Sequence, residues 1–274
     1  MTDPGFLQLG ALVAAALLVG VSKTAVSGVG AISVALFAAV LPAKQSTGAL
    51  LPLLLVGDVL AVSTYRRHAD WSALLRLLPS VAMGVLLGAV FVARVDDAVM
   101  RRTIGVLMLT IVGHHLWQRR RIRTTNAAPG APEAGAFANR GALTSGAPGA
   151  SDAPSTSAQH GRALFFGLVA GFATMVANAG GPAMSLYLLS VGFSMLGFLG
   201  TAAWFFLIVN LVKLPFSVGL GLIDADAMVL DAVLVLAVPI GAFFGRAAVR
   251  RIDQALFERL VLASTALAGV NLLR

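Results

Sequence analysis

Residues 173–189 read ATMVANAGGPAMSLYLL. They lie in a long apolar run that should form one buried helix, yet its middle is Asn178-Ala179-Gly180-Gly181-Pro182. Glycine is a poor helix former, and proline removes an amide donor and crowds the preceding turn. The helix must break here, and an asparagine stands at the break. In hydrocarbon, non-helical backbone persists only where it is buried in protein or lines a polar cavity. The stretch therefore predicts an interrupted membrane helix beside a polar feature.

Composition points the same way. Of 274 residues, 58% are hydrophobic and only 12% are charged, about half the charge fraction of an average soluble chain. The net charge of +8 comes mostly from arginines clustered in short loops between apolar runs, which is the pattern of cytoplasmic loops and not of a nucleic-acid surface. No nucleic-acid partner is expected. With no cysteine there are no disulfides and no thiolate metal site. The N-terminus, MTDPGFLQLG, carries no lysine or arginine before its apolar run, so it lacks the basic region of a signal peptide and is expected to stay in the mature protein.

Apolar segments fall at about 6–21, 29–41, 47–64, 72–93, 103–118, 163–177, 182–191, 195–221, 227–249 and 256–273. A crossing needs roughly 20 residues, so the members of the pairs 6–21/29–41 and 163–177/182–191 are each short. Between them, 122–161 is built almost wholly of Ala, Gly, Pro, Ser and Thr and reads as a flexible linker. The division is thus 1–121, a first membrane repeat; 122–161, the linker; and 162–274, a second repeat.

The repeat is visible directly. LVGVSKTAVSGVGAISVALF (18–37) aligns with LVAGFATMVANAGGPAMSLYLL (168–189), placing Gly20 on Gly171 and Gly30 on Gly181. Gly48 falls on Gly200 and Asp58 on Asn210, while GVLLGAVFVARVDDAVMRR (84–102) aligns without gaps on GAFFGRAAVRRIDQALFER (241–259). The spacings Gly84/Gly88 and Gly241/Gly245 suit close helix packing. The fold class is therefore an all-α polytopic membrane protein of two homologous repeats. Each has about four helical segments, about eight in total, the first broken or re-entrant. Placing the basic clusters around Arg66, Arg119 and Arg250 in the cytoplasm favours inverted repeats; eight spans in parallel halves are the alternative.

Two broken elements at equivalent places in two repeats point to a transport site. Helix N-termini after the breaks aim N–H groups and positive dipole ends at it, which suits an anion. The candidate binding residues of the first break are Ser22, Lys23, Thr24, Ser27, Gly28 and Gly30. Those of the second are Asn178, Gly180, Gly181 and Pro182, joined by Thr201, Asn210 and Lys213 from the following span. The bland readings are a snorkelling lysine for Lys23 or Lys213, and a hydroxyl bonded to a backbone carbonyl for each Ser or Thr. Asp58, in LPLLLVGDVLAV, fits a coupling-proton site and a structural Asp–Lys pair equally well. Asp231 reads as a residue near a membrane interface. His114 and His115 close a span beside Trp117 and read as interfacial; no metal site, cofactor, nucleophile elbow or phosphate loop is found, so no enzyme is expected. Oligomeric state has no sequence signature here.

These motifs resemble the TauE/SafE sulfite-exporter family of anion permeases. The resemblance rests on GVSKTAVSGVGAISVALF and GFATMVANAGGPAMSLYLL, on LLPLLLVGDVLAVSTYRRHADW, and on GTAAWFFLIVNLVKLPFSVGLGLI. It covers the chain outside 122–161. It implies a bundle of about eight segments in the plasma membrane, in a bacterium the inner membrane, and transport of sulfite, organosulfonates or related small anions, with members differing in substrate and direction. Gly180, Gly181 and Pro182 match its second-half motif, and Asn210 and Lys213 its Asn-x-x-Lys. Ala35 stands where a proline is expected, and the long linker departs from the pattern. A permease for short carboxylates such as lactate or glycolate would use the same dipoles and lysines, and a passive anion channel is the third reading.

Overall fold

The computed structural model describes residues 5–24, 30–126, 156–191, 193–223 and 225–248, with helical stretches at 262–263, 266–267 and 269–273. Among these residues all regular structure is helical. The helices are α1 (Phe6–Thr24), α2 (Gly30–Val40), α3 (Ala43–Tyr65), α4 (Trp71–Arg94), α5 (Asp97–Asn126), α6 (Thr156–Ala177), α7 (Gly181–Val191), α8 (Met195–Gly219), α9 (Ala225–Leu234) and α10 (Ala237–Ala248). Among the described residues, five stretches are long and apolar enough to cross a membrane: Phe6–Lys23, Ala43–His68, Trp71–Arg94, Leu196–Gly219 and Met228–Gly245.

Both predicted breaks are present, and at each the chain folds back. Ser33 of α2 donates its hydroxyl to the Ala15 carbonyl of α1 at 3.0 Å. Eighteen residues of continuous helix would hold those groups about 27 Å apart. A Cβ on Gly180 would likewise stand only 2.9 Å from the Ala170 carbonyl of α6.

Three boundaries differ from the sequence reading. First, α1 runs on to Thr24 and alone reaches spanning length, because Val21–Thr24 continue the helix despite two hydroxyls and a lysine. Second, helix occupies 122–126 and 156–161 at the two ends of the expected linker; its remainder, 127–155, lies outside the described residues. Third, the single run 227–249 divides into α9 and α10 at Val235–Leu236. Pro239 explains this: it cannot donate to the Val235 carbonyl, and its ring crowds that group. With the members of the broken pairs, and α9 and α10, counted separately, the described residues hold ten helices. Asp231 turns inward on α9 and is 4% exposed. The side chains of His114 and His115 lie outside the described set.

Helix pairing depends on glycine. Helix α1 packs on α10, and α4 on α6. At the first crossing a Cβ on Gly20 would overlap the Val238 carbonyl, and one on Gly241 the Leu17 carbonyl. At the second, Gly84 meets the Leu168 carbonyl and Gly171 the Val81 carbonyl in the same way. Helices this close gain dispersion along the whole seam, which matters in lipid because apolar burial offers little driving force there. These crossings set the frame in which α3 and α8 lie together at the centre, each touching the start of a broken pair.

Gly171→Val should be strongly destabilising, because a backbone carbonyl and not a movable side chain fills the space. Overpacking of this kind costs about 1–3 kcal/mol or more. Gly10→Val, at a glycine with open space around it, should change nothing. Thermal unfolding of the detergent-purified variants compares the two; equal midpoints would refute the packing argument.

Candidate functional site

Asn178 determines how α6 ends. It has φ +51°, the one positive φ at a non-glycine position among the described residues. Its N–H donates to the Thr174 carbonyl at 3.0 Å, the left-handed helix cap that glycine usually makes and asparagine can make. Both ends of the Asn178 amide then find partners. Its Nδ2 donates to the Thr47 carbonyl of α3 at 3.0 Å, and its Oδ1 accepts from Lys213 Nζ. Gly180 caps the next helix through its carbonyl, which receives the Met184 N–H at 3.1 Å. Gly181 and Pro182 open α7, where proline's missing donor is harmless.

Lys213 reaches this break from α8 and is completely buried. Besides Asn178, its ammonium donates to the Thr174 carbonyl at 2.7 Å. It therefore sits on the C-terminal end of α6, where the helix dipole favours a cation. It does not snorkel.

Lys23 plays the matching part at the end of α1. Its Nζ lies 2.6 Å from Asp58 Oδ1; the lysine side chain is 13% exposed and the aspartate 0%. The other carboxylate oxygen, Oδ2, accepts from Asn210 Nδ2 at 2.6 Å, so α3 and α8 are joined through one buried carboxylate. Gly57 lets the lysine in, since a Cβ there would stand 2.9 Å from Lys23 Cγ. Lys23 Nζ also lies 4.4 Å from the centroid of the Phe206 ring, within cation–π range. Asn210 Oδ1 is buried without a hydrogen bond. When all three ionisable groups of this cluster are charged, two lysines face one carboxylate, leaving one formal positive charge.

The structure brings together Lys23, Asp58, Asn178, Asn210 and Lys213, with Gly30 and Gly181 starting the two helices that leave the breaks. Gly30 lies by Ser22, whose hydroxyl points back to the Val19 carbonyl of its own helix at 2.8 Å. Thr24 closes α1. Ser27 and Gly28 lie outside the described residues. Thr201 is elsewhere: its hydroxyl accepts the Asp70 N–H at 3.0 Å and pins the loop after α3 to the start of α8. Two participants escaped the sequence reading. Thr47 bonds the Val176 carbonyl through its hydroxyl at 3.2 Å, besides receiving Asn178. Phe206 looks like one more apolar residue, although its place four residues before Asn210 puts it on the same stripe of α8. Among the described residues no cluster of His, Asp or Glu could hold a metal.

A family model described as Sulfite exporter TauE/SafE matches residues 12–272, nearly the whole chain. The chain belongs to the TauE/SafE family. No curated protein and no solved structure matches it. TauE/SafE members are membrane transporters of the sulfite and anion exporter type, not enzymes, and the apolar helices are those of a multi-pass membrane protein.

Lys23→Met should leave the Asp58 carboxylate buried without its counter-ion, a change that costs about 3–5 kcal/mol in comparable sites. Adding Asp58→Asn should restore most of that loss. A thermal-unfolding cycle of the two single variants and the double variant reads the coupling; additive losses would show that the pair contributes nothing as a pair.

Proposed function

We propose that this chain is a secondary transporter that exports small anions, such as sulfite or organosulfonates, across the plasma membrane, in a bacterium the inner membrane. The observation that carries the reading is the gathering of two lysines around one carboxylate at the helix breaks of a TauE/SafE chain. Two lysines and one carboxylate share the centre, and an anion supplies the missing charge. Burying an uncompensated ion is costly, so an anionic substrate is stabilised there while a cation is repelled.

In this reading the anion meets Lys23, the partly exposed member, together with the first amides of α2 at Gly30 and of α7 at Gly181. Lys213 contributes its field from behind, held by Asn178. Asp58 serves as the coupling group. An anion that draws Lys23 away leaves the carboxylate with Asn210 alone in apolar surroundings, and Asp58 then takes up a proton that travels with the substrate.

In this reading the two halves are inverted repeats, an arrangement that suits alternating access. Helix α1 pairs with α10 and α6 pairs with α4, each first helix of one half on a later helix of the other. The glycines at the two crossings, Gly20 with Gly241 and Gly171 with Gly84, exchange under the sequence alignment. Movement of one repeat element against another would expose the breaks alternately to the two sides. The complete burial of Asp58 and Lys213 favours a carrier over an open channel.

Flux into proteoliposomes tests this with sulfite, a sulfonate and a short carboxylate, with and without a pH gradient. Saturable, gradient-driven flux of the sulfur oxyanions is the expected result, and Lys213→Met should abolish it while eluting as wild type on gel filtration. Flux of carboxylates alone would replace the substrate, flux that never saturates would replace the carrier by a channel, and normal flux in Lys213→Met would remove that lysine from the site.

A further inference from the structure

Resting on the reading of Lys23 as an anion ligand, we propose that Phe206 is the plug and size selector of the site. Its ring fills the space between the Lys23 ammonium and the first residue of α7, and the anion enters by displacing it. Two distances define the position. Lys23 Nζ is 4.4 Å from the ring centroid. The far end of the same ring, Cζ, lies 3.8 Å from the point a Cβ on Gly181 would occupy. One phenyl ring thus spans the gap between the end of the first broken helix and the start of the second half-helix.

The electrostatics of the ring suit a plug. An aromatic face carries partial negative charge, so it satisfies the ammonium while the site is empty and repels an anion laid against it. Cation and anion cannot share that face. The ring leaves when the anion arrives, and Lys23 exchanges a weak partner for a charged one.

Position on α8 makes the movement consequential. Phe206, Asn210 and Lys213 follow one another on one stripe of the helix, and they touch Lys23 with Gly181, Asp58, and the end of α6 respectively. Phe205 differs: it is fully enclosed in the core and meets Phe206 edge-on at 5.2 Å. Phe205 packs the helix, and Phe206 stands over the charge. The space a phenyl ring vacates admits an oxyanion with a short substituent and excludes a bulky one.

The experiment measures the flux of benzenesulfonate relative to sulfite in wild type, Phe206→Leu and Phe206→Ala. The ratio of two fluxes through one preparation does not depend on how much of it is folded. The ratio should rise at least about tenfold in Phe206→Ala, as expected when a pocket gains room for several carbons, with Phe206→Leu between. A ratio unchanged in active variants overturns the plug. So does loss of both fluxes in monodisperse Phe206→Leu, because a plug is dispensable for transport. Wild-type protein that carries neither anion overturns instead the anion reading on which the plug rests.

Discussion

A main chain that stops being helical in apolar surroundings must find partners for its peptide groups inside the protein. The rest of this structure depends on how that demand is met at two places. At the end of α6, the Thr174 carbonyl receives both the Asn178 N–H and the Lys213 ammonium. At a water-facing helix end, solvent would do this work. Here a lysine carried in from α8 replaces it, and α8 is thereby fastened to the break. The amide of Asn178 in turn fastens the break to α3 through Thr47. Capping and tertiary packing are one event.

The first break is organised with the roles redistributed. Its lysine belongs to the broken helix itself, and its partner, Asp58, belongs to the following span. In the second half the lysine belongs to the span. The position corresponding to Asp58 is the neutral Asn210, which donates to that same carboxylate. One buried carboxylate therefore stabilises a lysine from α1 and binds α3 to α8. The second lysine is stabilised by a helix dipole and two oxygen acceptors. With every group charged, that difference leaves the centre one positive charge in excess.

Much of this could be read in the chain beforehand. Gly180-Gly181-Pro182 is a strong helix-breaking signal whatever surrounds it. Small residues four apart at Gly84 and Gly88 can serve close packing only. Charges within apolar runs, Lys23, Asp58 and Lys213, have few places to go in a membrane protein. Partner choice was not readable, because it is tertiary. Periodicity places Asp58 and Asn210 on faces of their helices, and nothing local says those faces meet across 152 residues. For the same reason Thr201 looked like a member of the site and proved to hold the Asp70 loop. Phe206 carried no polar atom to attract notice, and its importance lies wholly in what the fold sets beside it. The division of α9 from α10 was visible in Pro239 but was outweighed by an apolar run long enough for one span.

The glycine crossings bear on how such a molecule can move. A seam between helices switches between arrangements when side chains on both sides can interlock in more than one way. At the crossings of α1 with α10 and of α4 with α6, backbone lies directly on backbone, which leaves little side chain there to shift from one hole to the next. These seams behave as welds. Each pair would then travel as a single strut, and slip planes would run elsewhere, along surfaces where side chains interdigitate.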